Sequence, residues 1–263
     1  MTQKTIYAIA ISGVALTTIL ASGLVVCTYA QGGRFANSNS SNNSTKNNQS
    51  AGNQDNQNQS NAPQEHDLQS ITSLPNEDLS EDEKSAILYM SEEEKLARDV
   101  YQTLGDKYNL NIFKNIVQSE QKHTDSVKVL IDKYSISDPV TSNETGIFTN
   151  PDLQKLFTDL VAKGNQNQLE ALIVGATTED LDITDLNSRL SQTDNADIKL
   201  VFQNLLKGSG NHLRAFVKNI ENQGGSYSPQ FLSQVEYNTI LSATNSEQSG
   251  NQQKIGGRGR NRN

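Results

Sequence analysis

Glu120 and His123 stand three residues apart in the stretch Ile116-Val117-Gln118-Ser119-Glu120-Gln121-Lys122-His123-Thr124-Asp125-Ser126-Val127. On a helix this spacing puts both side chains on one face, about one turn from each other. The face they share is the apolar one, because Ile112, Phe113, Ile116, Val127, Leu130, Ile131 and Tyr134 continue the same stripe on either side. A carboxylate turned into a core without a partner costs several kcal/mol, so the pair needs something to bind. A Glu-x-x-His facing the interior of a helix bundle is a ligand unit for iron or manganese. Taken alone, the spacing equally describes a solvated i,i+3 pair. The reading depends on whether other helices carry the same anomaly.

The elements that would position such a site are all helical. Ser80-Glu81-Asp82-Glu83 is a capping-box pattern that starts a helix running to about Leu104, with Ile87, Met90, Ala97, Tyr101 and Leu104 on its inner face and Glu94 among them. The alternatives for Glu94 are a helix that starts only at Ser91, or an outward pair with Arg98. Gly105 to Asn111 is a short connection, so the helix over about Ile112 to Tyr134 should return antiparallel. A long connection from Ser135 to Gln166 holds a short helix introduced by Asn150-Pro151 and closed by Gly164. The next helix, about Asn167 to Leu190, carries Glu179 and Asp180 in a gap of its apolar stripe, with Asp182 at the edge. The last long helix, about Ala196 to Asn222, carries His212 on its stripe. Gly208-Ser209-Gly210 is odd inside it, since each glycine costs about 1 kcal/mol relative to alanine. Either the helix breaks there, or small residues make room beside a site. Pro229 to Leu241 predicts a final short helix.

Each long helix therefore carries a polar anomaly near its middle: Glu94, Glu120 with His123, Glu179, and His212. Converging in one core they would repel and desolvate one another unless a cation neutralised them. The competing account has four independent polar positions satisfied by neighbours such as Arg98, Tyr101 and Asn211. Short hairpin, long crossover, short hairpin is the ferritin-like route through four helices. The expected fold class is all-α, a ferritin-like four-helix bundle with one long crossover containing a short helix.

Four stretches also resemble a known family: Ser91-Glu92-Glu93-Glu94-Lys95-Leu96-Ala97-Arg98-Asp99-Val100-Tyr101, Ser119-Glu120-Gln121-Lys122-His123, Gly146-Ile147-Phe148-Thr149-Asn150-Pro151 and Asn211-His212-Leu213-Arg214-Ala215-Phe216. Over about Leu79 to Leu241 the chain is similar to a prokaryotic ferritin-like family catalogued as a domain of unknown function, distantly similar to rubrerythrin and ferritin. The resemblance implies the bundle and no established activity. In the wider superfamily the first and third helices give one Glu each, and the second and fourth give Glu-x-x-His. Glu94, Glu120, His123, Glu179 and His212 match those positions. Ser209 stands where the fourth helix would carry its Glu, which implies an asymmetric site that Asp182 or water would complete.

Composition narrows the chemistry. The only cysteine, Cys27, lies in an N-terminal apolar run, so the folded region has no disulfide, thiolate metal site or cysteine nucleophile. Carboxylate and imidazole ligands select iron, with manganese or zinc as alternatives, in a mononuclear or asymmetric dinuclear site. Without a cysteine pair, a redox cycle would need an external electron donor. A net charge of −8 gives no electrostatic support for nucleic-acid binding. Residues 1–30 read as a signal peptide or N-terminal membrane anchor, the only expected contact with a membrane. Residues 31–72, rich in Asn, Ser and Gln, read as a disordered linker, 73–243 as the ferritin-like domain and 244–263 as a disordered basic tail. The domain is expected outside the cytoplasm, secreted or tethered to the outer face of the cytoplasmic membrane. Pairing into a homodimer stays open. The leading expectation is an oxidoreductase of the ferroxidase or peroxidase type. The alternatives are a non-catalytic metal-binding protein and a metal-free envelope-tethered scaffold.

Overall fold

The computed structural model describes residues 65–243, and among them the chain forms seven helices and no strand: α1 (Glu65–Ser73), α2 (Glu81–Tyr108), α3 (Asn111–Lys133), α4 (Pro151–Gly164), α5 (Gln168–Leu190), α6 (Ala196–Asn222) and α7 (Gln234–Ser242). The expected export segment, the linker up to residue 64 and the basic tail lie outside the described residues. The linker expected over 31–72 ends sooner than its composition implies, because α1 lies within it. Leu68 and Ile71 fall three apart on α1, and Ile71 packs into the core with only 2% of its surface exposed. Lys133 of α3 holds the end of α1 by donating to the carbonyls of Ile71 and Leu74 at 3.2 and 3.0 Å. No described helix is long and apolar enough to cross a membrane.

The helix starts follow local chemistry. The Ser80 hydroxyl accepts from the Glu83 amide at 3.2 Å, and the Glu83 carboxylate accepts from the Ser80 amide at 3.1 Å, closing the capping box at the head of α2. Asn150 caps α4, with Pro151 at its first position. Asn109 ends α2 in the left-handed conformation, φ 54°, and only Leu110 separates it from α3. So tight a connection folds α3 back along α2. The turn into α6 is tied to α2 as well: Glu83 accepts from the Thr193 hydroxyl at 2.6 Å and from the amides of Asp194 and Asn195 at 3.2 Å each.

The four long helices α2, α3, α5 and α6 pack about a common core, α2 against α3 and α5, and α6 against α3 and α5. Their buried apolar side chains fall into two clusters. One gathers Ala97, Tyr101, Phe113, Ile116, Ala176, Leu213 and Phe216; the other gathers Ile87, Met90, Val127, Leu130, Leu186, Val201 and Leu205. At about 1.5–3 kcal/mol for each fully buried large side chain, these clusters hold the helices together at both ends. Between them lies a polar layer. Glu94 falls between Met90 and Ala97, Glu120 and His123 between Ile116 and Val127, and Ser209 and His212 between Leu205 and Leu213.

The crossover between α3 and α4 is fastened to α2. Glu92 accepts from the Asn150 amide at 3.0 Å and from the Thr149 amide, so it is neither solvated nor part of a cap within its own helix. Lys95, fully buried, donates to Asp99 at 2.6 Å and to the carbonyls of Glu144 and Ile147 at 2.9 and 3.2 Å. Asp99 in turn accepts from the Gly146 amide at 2.9 Å. Asp180 does the same for the segment before α7, accepting from the Tyr227 hydroxyl and the Leu232 amide at 2.7 and 2.8 Å.

Candidate metal centre

Glu94 comes from α2, Glu120 and His123 from α3, Glu179 and Asp182 from α5 and His212 from α6, and all six are at least nine-tenths buried. The two imidazoles sit on either side of Glu120. Its Oε2 is 2.9 Å from His123 Nδ1, and its Oε1 is 2.7 Å from His212 Nδ1. Glu94 Oε2 completes one group at 3.2 Å from His123 Nδ1; Glu179 Oε1 completes the other at 3.5 Å from His212 Nδ1. Each group of three ligand atoms fits within 4.8 Å, and Glu120 belongs to both. The two rings stack with centroids 5.5 Å apart.

Several of these atoms have no partner. Glu94 Oε1, Glu120 Oε1, His212 Nδ1 and Asp182 Oδ1 are buried without a hydrogen bond. Glu120 Oε1 and His212 Nδ1 are only 2.7 Å apart, yet they are not aligned for one. Proximity without alignment is the geometry of two ligands turned toward a third atom. Ligands held at about 2.1 Å from one cation lie roughly 3 Å from each other, the spacing seen here. The residues present therefore fit a metal ion.

Outer contacts orient this set. The Tyr101 hydroxyl donates to Glu179 Oε1 at 2.7 Å, and Ser119 Oγ lies 2.9 Å from His212 Nε2, leaving Nδ1 to face the carboxylates. Ser209 donates to the Leu205 carbonyl at 2.9 Å and also contacts Asp182. Ser209 on α6 thus meets a carboxylate carried by α5. The helix does not break at Gly208-Ser209-Gly210. A Cβ on Gly208 would lie 2.4 Å from His123 Nε2, so this glycine makes room for the imidazole. Gly208→Ala is expected to displace His123 and lose the cation on that side, with helix content unchanged because alanine favours the helix by about 1 kcal/mol. Metal analysis beside far-ultraviolet circular dichroism checks both parts.

Electrostatics follow from burial and crowding. Burial pushes the Glu94 carboxyl up to about 7, with His123 opposing and Glu120 adding to the rise. Burial raises Glu179 and Asp182 too, reinforced at Glu179 by Glu120 and at Asp182 by Glu94. Burial would also raise Glu120, but His212 and His123 outweigh it and hold that carboxyl well below the usual range. Burial lowers His212, while Glu120 and Glu179 more than reverse this and take it to about 9.

Groups raised above their unfolded values contribute stability at low pH and lose it as pH rises through the folded value. For Glu94 that window runs from 4.5 to about 7, and for His212 from 6.5 to about 9. The metal-free protein is therefore expected to lose on the order of 4 kcal/mol between pH 6 and 9. Glu120, depressed, acts oppositely and only at the acid end. Bound metal removes the alkaline loss, since its ligands are already deprotonated. Thermal denaturation from pH 6 to 9 with and without metal tests this; a flat metal-free profile would contradict it.

Of the residues singled out in the sequence, Glu94, Glu120, His123, Glu179 and His212 come together, with Asp182 beside them. Glu94 does not pair outward with Arg98, which instead bonds Asp99 and Gln121. Neither Ser119 nor Gly208 was assigned its contact from the sequence. Glu93 and Asp185 were also missed, although Glu179-x-x-Asp182-x-x-Asp185 is a readable series of turns on α5.

Fold and site together define an all-α domain whose four longest helices enclose one carboxylate and imidazole cluster. The chain belongs to the family described as Uncharacterized protein domain (DUF2202), which matches residues 83–244 and so spans every candidate ligand. It is 52% identical over 177 residues to the uncharacterized protein MJ0754 of Methanocaldococcus jannaschii, covering 67% of this chain and 96% of that protein. The crystal structure of hypothetical protein MJ0754 from Methanococcus jannaschii DSM 2661 matches with a TM-score of 0.65 and 53% identity, covering 65% of this chain and 98% of that one.

Proposed function

We propose that this domain is a ferritin-like four-helix bundle with a non-haem dinuclear metal centre, and that it acts as an exported oxidoreductase on dioxygen, peroxide or Fe(II). The observation that carries the reading is the pair of buried ligand groups sharing Glu120. Glu94 and His123 would hold one cation, Glu179 and His212 the other, with Glu120 bridging and Asp182 filling the position that Ser209 leaves without a carboxylate. Oxygen and nitrogen donors without thiolate suit iron first, with manganese or zinc as alternatives. Iron bound there would supply one-electron exchange with dioxygen or peroxide. Glu94 and Asp182, both pushed up by burial, can hold protons near the site when cations leave it.

A cleft of about 240 Å³ between α2 and α3 has Tyr101, Gly105, Val117 and Gln118 among its walls. It reaches the tyrosine whose hydroxyl bonds Glu179. That volume is below the usual range for organic ligands, which favours a small substrate. The electrons of a catalytic cycle would come from an external donor.

The test is metal content of the purified protein after anaerobic Fe(II) loading, followed by peroxide consumption. About two equivalents are expected from the two ligand groups. His123→Ala and His212→Ala should each lose one, and each should lower the melting temperature of the loaded protein. Peroxide consumption should follow the iron. Iron retained without turnover would make the protein a metal-binding protein only; no iron in any form would leave a scaffold.

A further inference from the structure

The two ligand groups share Glu120, but the side chains behind them differ. Behind Glu179 and His212 stand two hydrogen-bonded supports. The Tyr101 hydroxyl donates to Glu179 Oε1 at 2.7 Å, and its ring is held by Phe216 and Phe113, with centroids 5.2 and 6.0 Å away. Tyr101 has no exposed surface, so the hydroxyl stays where the packing puts it. Ser119 Oγ lies 2.9 Å from His212 Nε2; accepting from that nitrogen, it leaves the Nδ1 lone pair to face Glu120 and Glu179. Glu94 and His123 have no such supports among the described residues. Glu94 Oε1 is buried without a hydrogen bond, and Oε2 meets His123, itself a member of the centre. His123 makes its polar contacts through Nδ1, while Nε2 lies against Gly208, which has no side chain to hold it. Asp182 faces both Glu94 and Glu179, so it does not set the two groups apart.

A ligand that is already oriented gives up less freedom when a cation arrives, and outer hydrogen bonds of this kind are worth about 10- to 100-fold in metal affinity. We propose that Tyr101 and Ser119 are positioning residues that make the two cation positions unequal: the Glu179–His212 position fills first and keeps its ion, and the Glu94–His123 position takes up and releases the second. The proposal rests on the metal centre above and gives it an order. With Glu120 Oε1 committed to the first cation beside His212, Oε2 remains turned toward His123 for the second. A metal ion that is substrate rather than resident, such as Fe(II), is therefore handled at Glu94 and His123.

The test titrates the metal-free full chain with Mn(II) and counts bound ion from the loss of the free-ion electron paramagnetic resonance signal, with melting temperature as a folding control. His123→Ala leaves only the Glu179–His212 position and His212→Ala only the other. The first variant should hold its single equivalent roughly tenfold more tightly or better. Tyr101→Phe keeps the ring and removes the hydroxyl. Added to His123→Ala, Tyr101→Phe or Ser119→Ala should weaken binding by about 10- to 100-fold; added to His212→Ala, neither should change it. A packing defect would weaken both backgrounds alike, so equal losses overturn the proposal, as do equal affinities in the two histidine variants, and either result leaves the centre standing. If loss of an imidazole unfolds the metal-free chain, Tyr101→Phe alone decides: the tighter of the two wild-type binding steps should weaken and the other stay. A tighter step that does not move overturns the proposal. If Glu120→Ala binds as wild type does, or wild type binds no ion, the centre itself fails and the order falls with it.

Discussion

Glu120→Ala is expected to lose both tightly bound cations at once, whereas removal of either histidine loses one. Glu120 is the only side chain present in both ligand groups, with one oxygen turned to each imidazole at 2.9 and 2.7 Å. The loss should appear in stability as well. A ligand present at a thousand times its dissociation constant stabilises a protein by about 4 kcal/mol, and this gain should vanish in the variant. The histidines report the change separately. Burial lowers both, and Glu120 is the largest influence raising each, so His212 should titrate below about 9 in the metal-free variant, and His123 should fall with it. Metal analysis, melting temperature with and without Fe(II), and a nuclear magnetic resonance titration of the imidazoles measure the three effects. Retention of both equivalents would refute the shared ligand.

Lys95→Ala should produce the largest loss of stability away from the centre. The ammonium of Lys95 reaches Asp99 and two carbonyls of the crossover and lies 4.5 Å over the Phe148 ring, and the residue has no exposed surface. Removing one member of a buried ion pair typically costs about 3–5 kcal/mol, because the other charge stays behind. Arg98 also bonds Asp99, at 2.9 Å, and offsets part of this cost. At roughly 2–4 °C per kcal/mol for a domain of this size, the melting temperature should fall by on the order of 10 °C. The double variant Lys95→Met with Asp99→Asn should recover much of the loss, since it removes both charges. Metal content at low temperature should stay at the wild-type value in both, because Lys95 contacts no candidate ligand. A simultaneous loss of metal would mean that the crossover positions the centre.

Much of the candidate centre was legible in the sequence because a polar residue in an apolar helical stripe reports itself. The period of 3.6 residues turns Glu94, Glu120, His123, Glu179 and His212 inward by the same rule that turns their leucine and isoleucine neighbours inward. The helix bounds were legible for a related reason: Ser80, Asn150 and Asn167 cap the backbone groups of their own helices, and that chemistry is local. α1 was not, since its few apolar residues lie in an Asn/Ser/Gln-rich stretch and gain their value only against α3 and α6.

The run Glu92-Glu93-Glu94-Lys95 marks the limit of such reading. Four successive residues sweep the whole circumference of a helix, so no single stripe can hold them all. All four are buried because α2 is enclosed on every side at this level. Glu92 meets the head of α4, Glu93 meets α5, Glu94 meets α3 and Lys95 meets the crossover. Those partners lie about thirty to ninety residues away along the chain. Gly208 is the same case in miniature: its sequence allowed a broken helix or a close approach, and the imidazole packed against it decided for the second. The sequence by itself determined which side chains turn inward, since helical periodicity needs only near neighbours. Which of those side chains meet was decided by the tertiary structure, because contact depends on how distant helices are laid against one another.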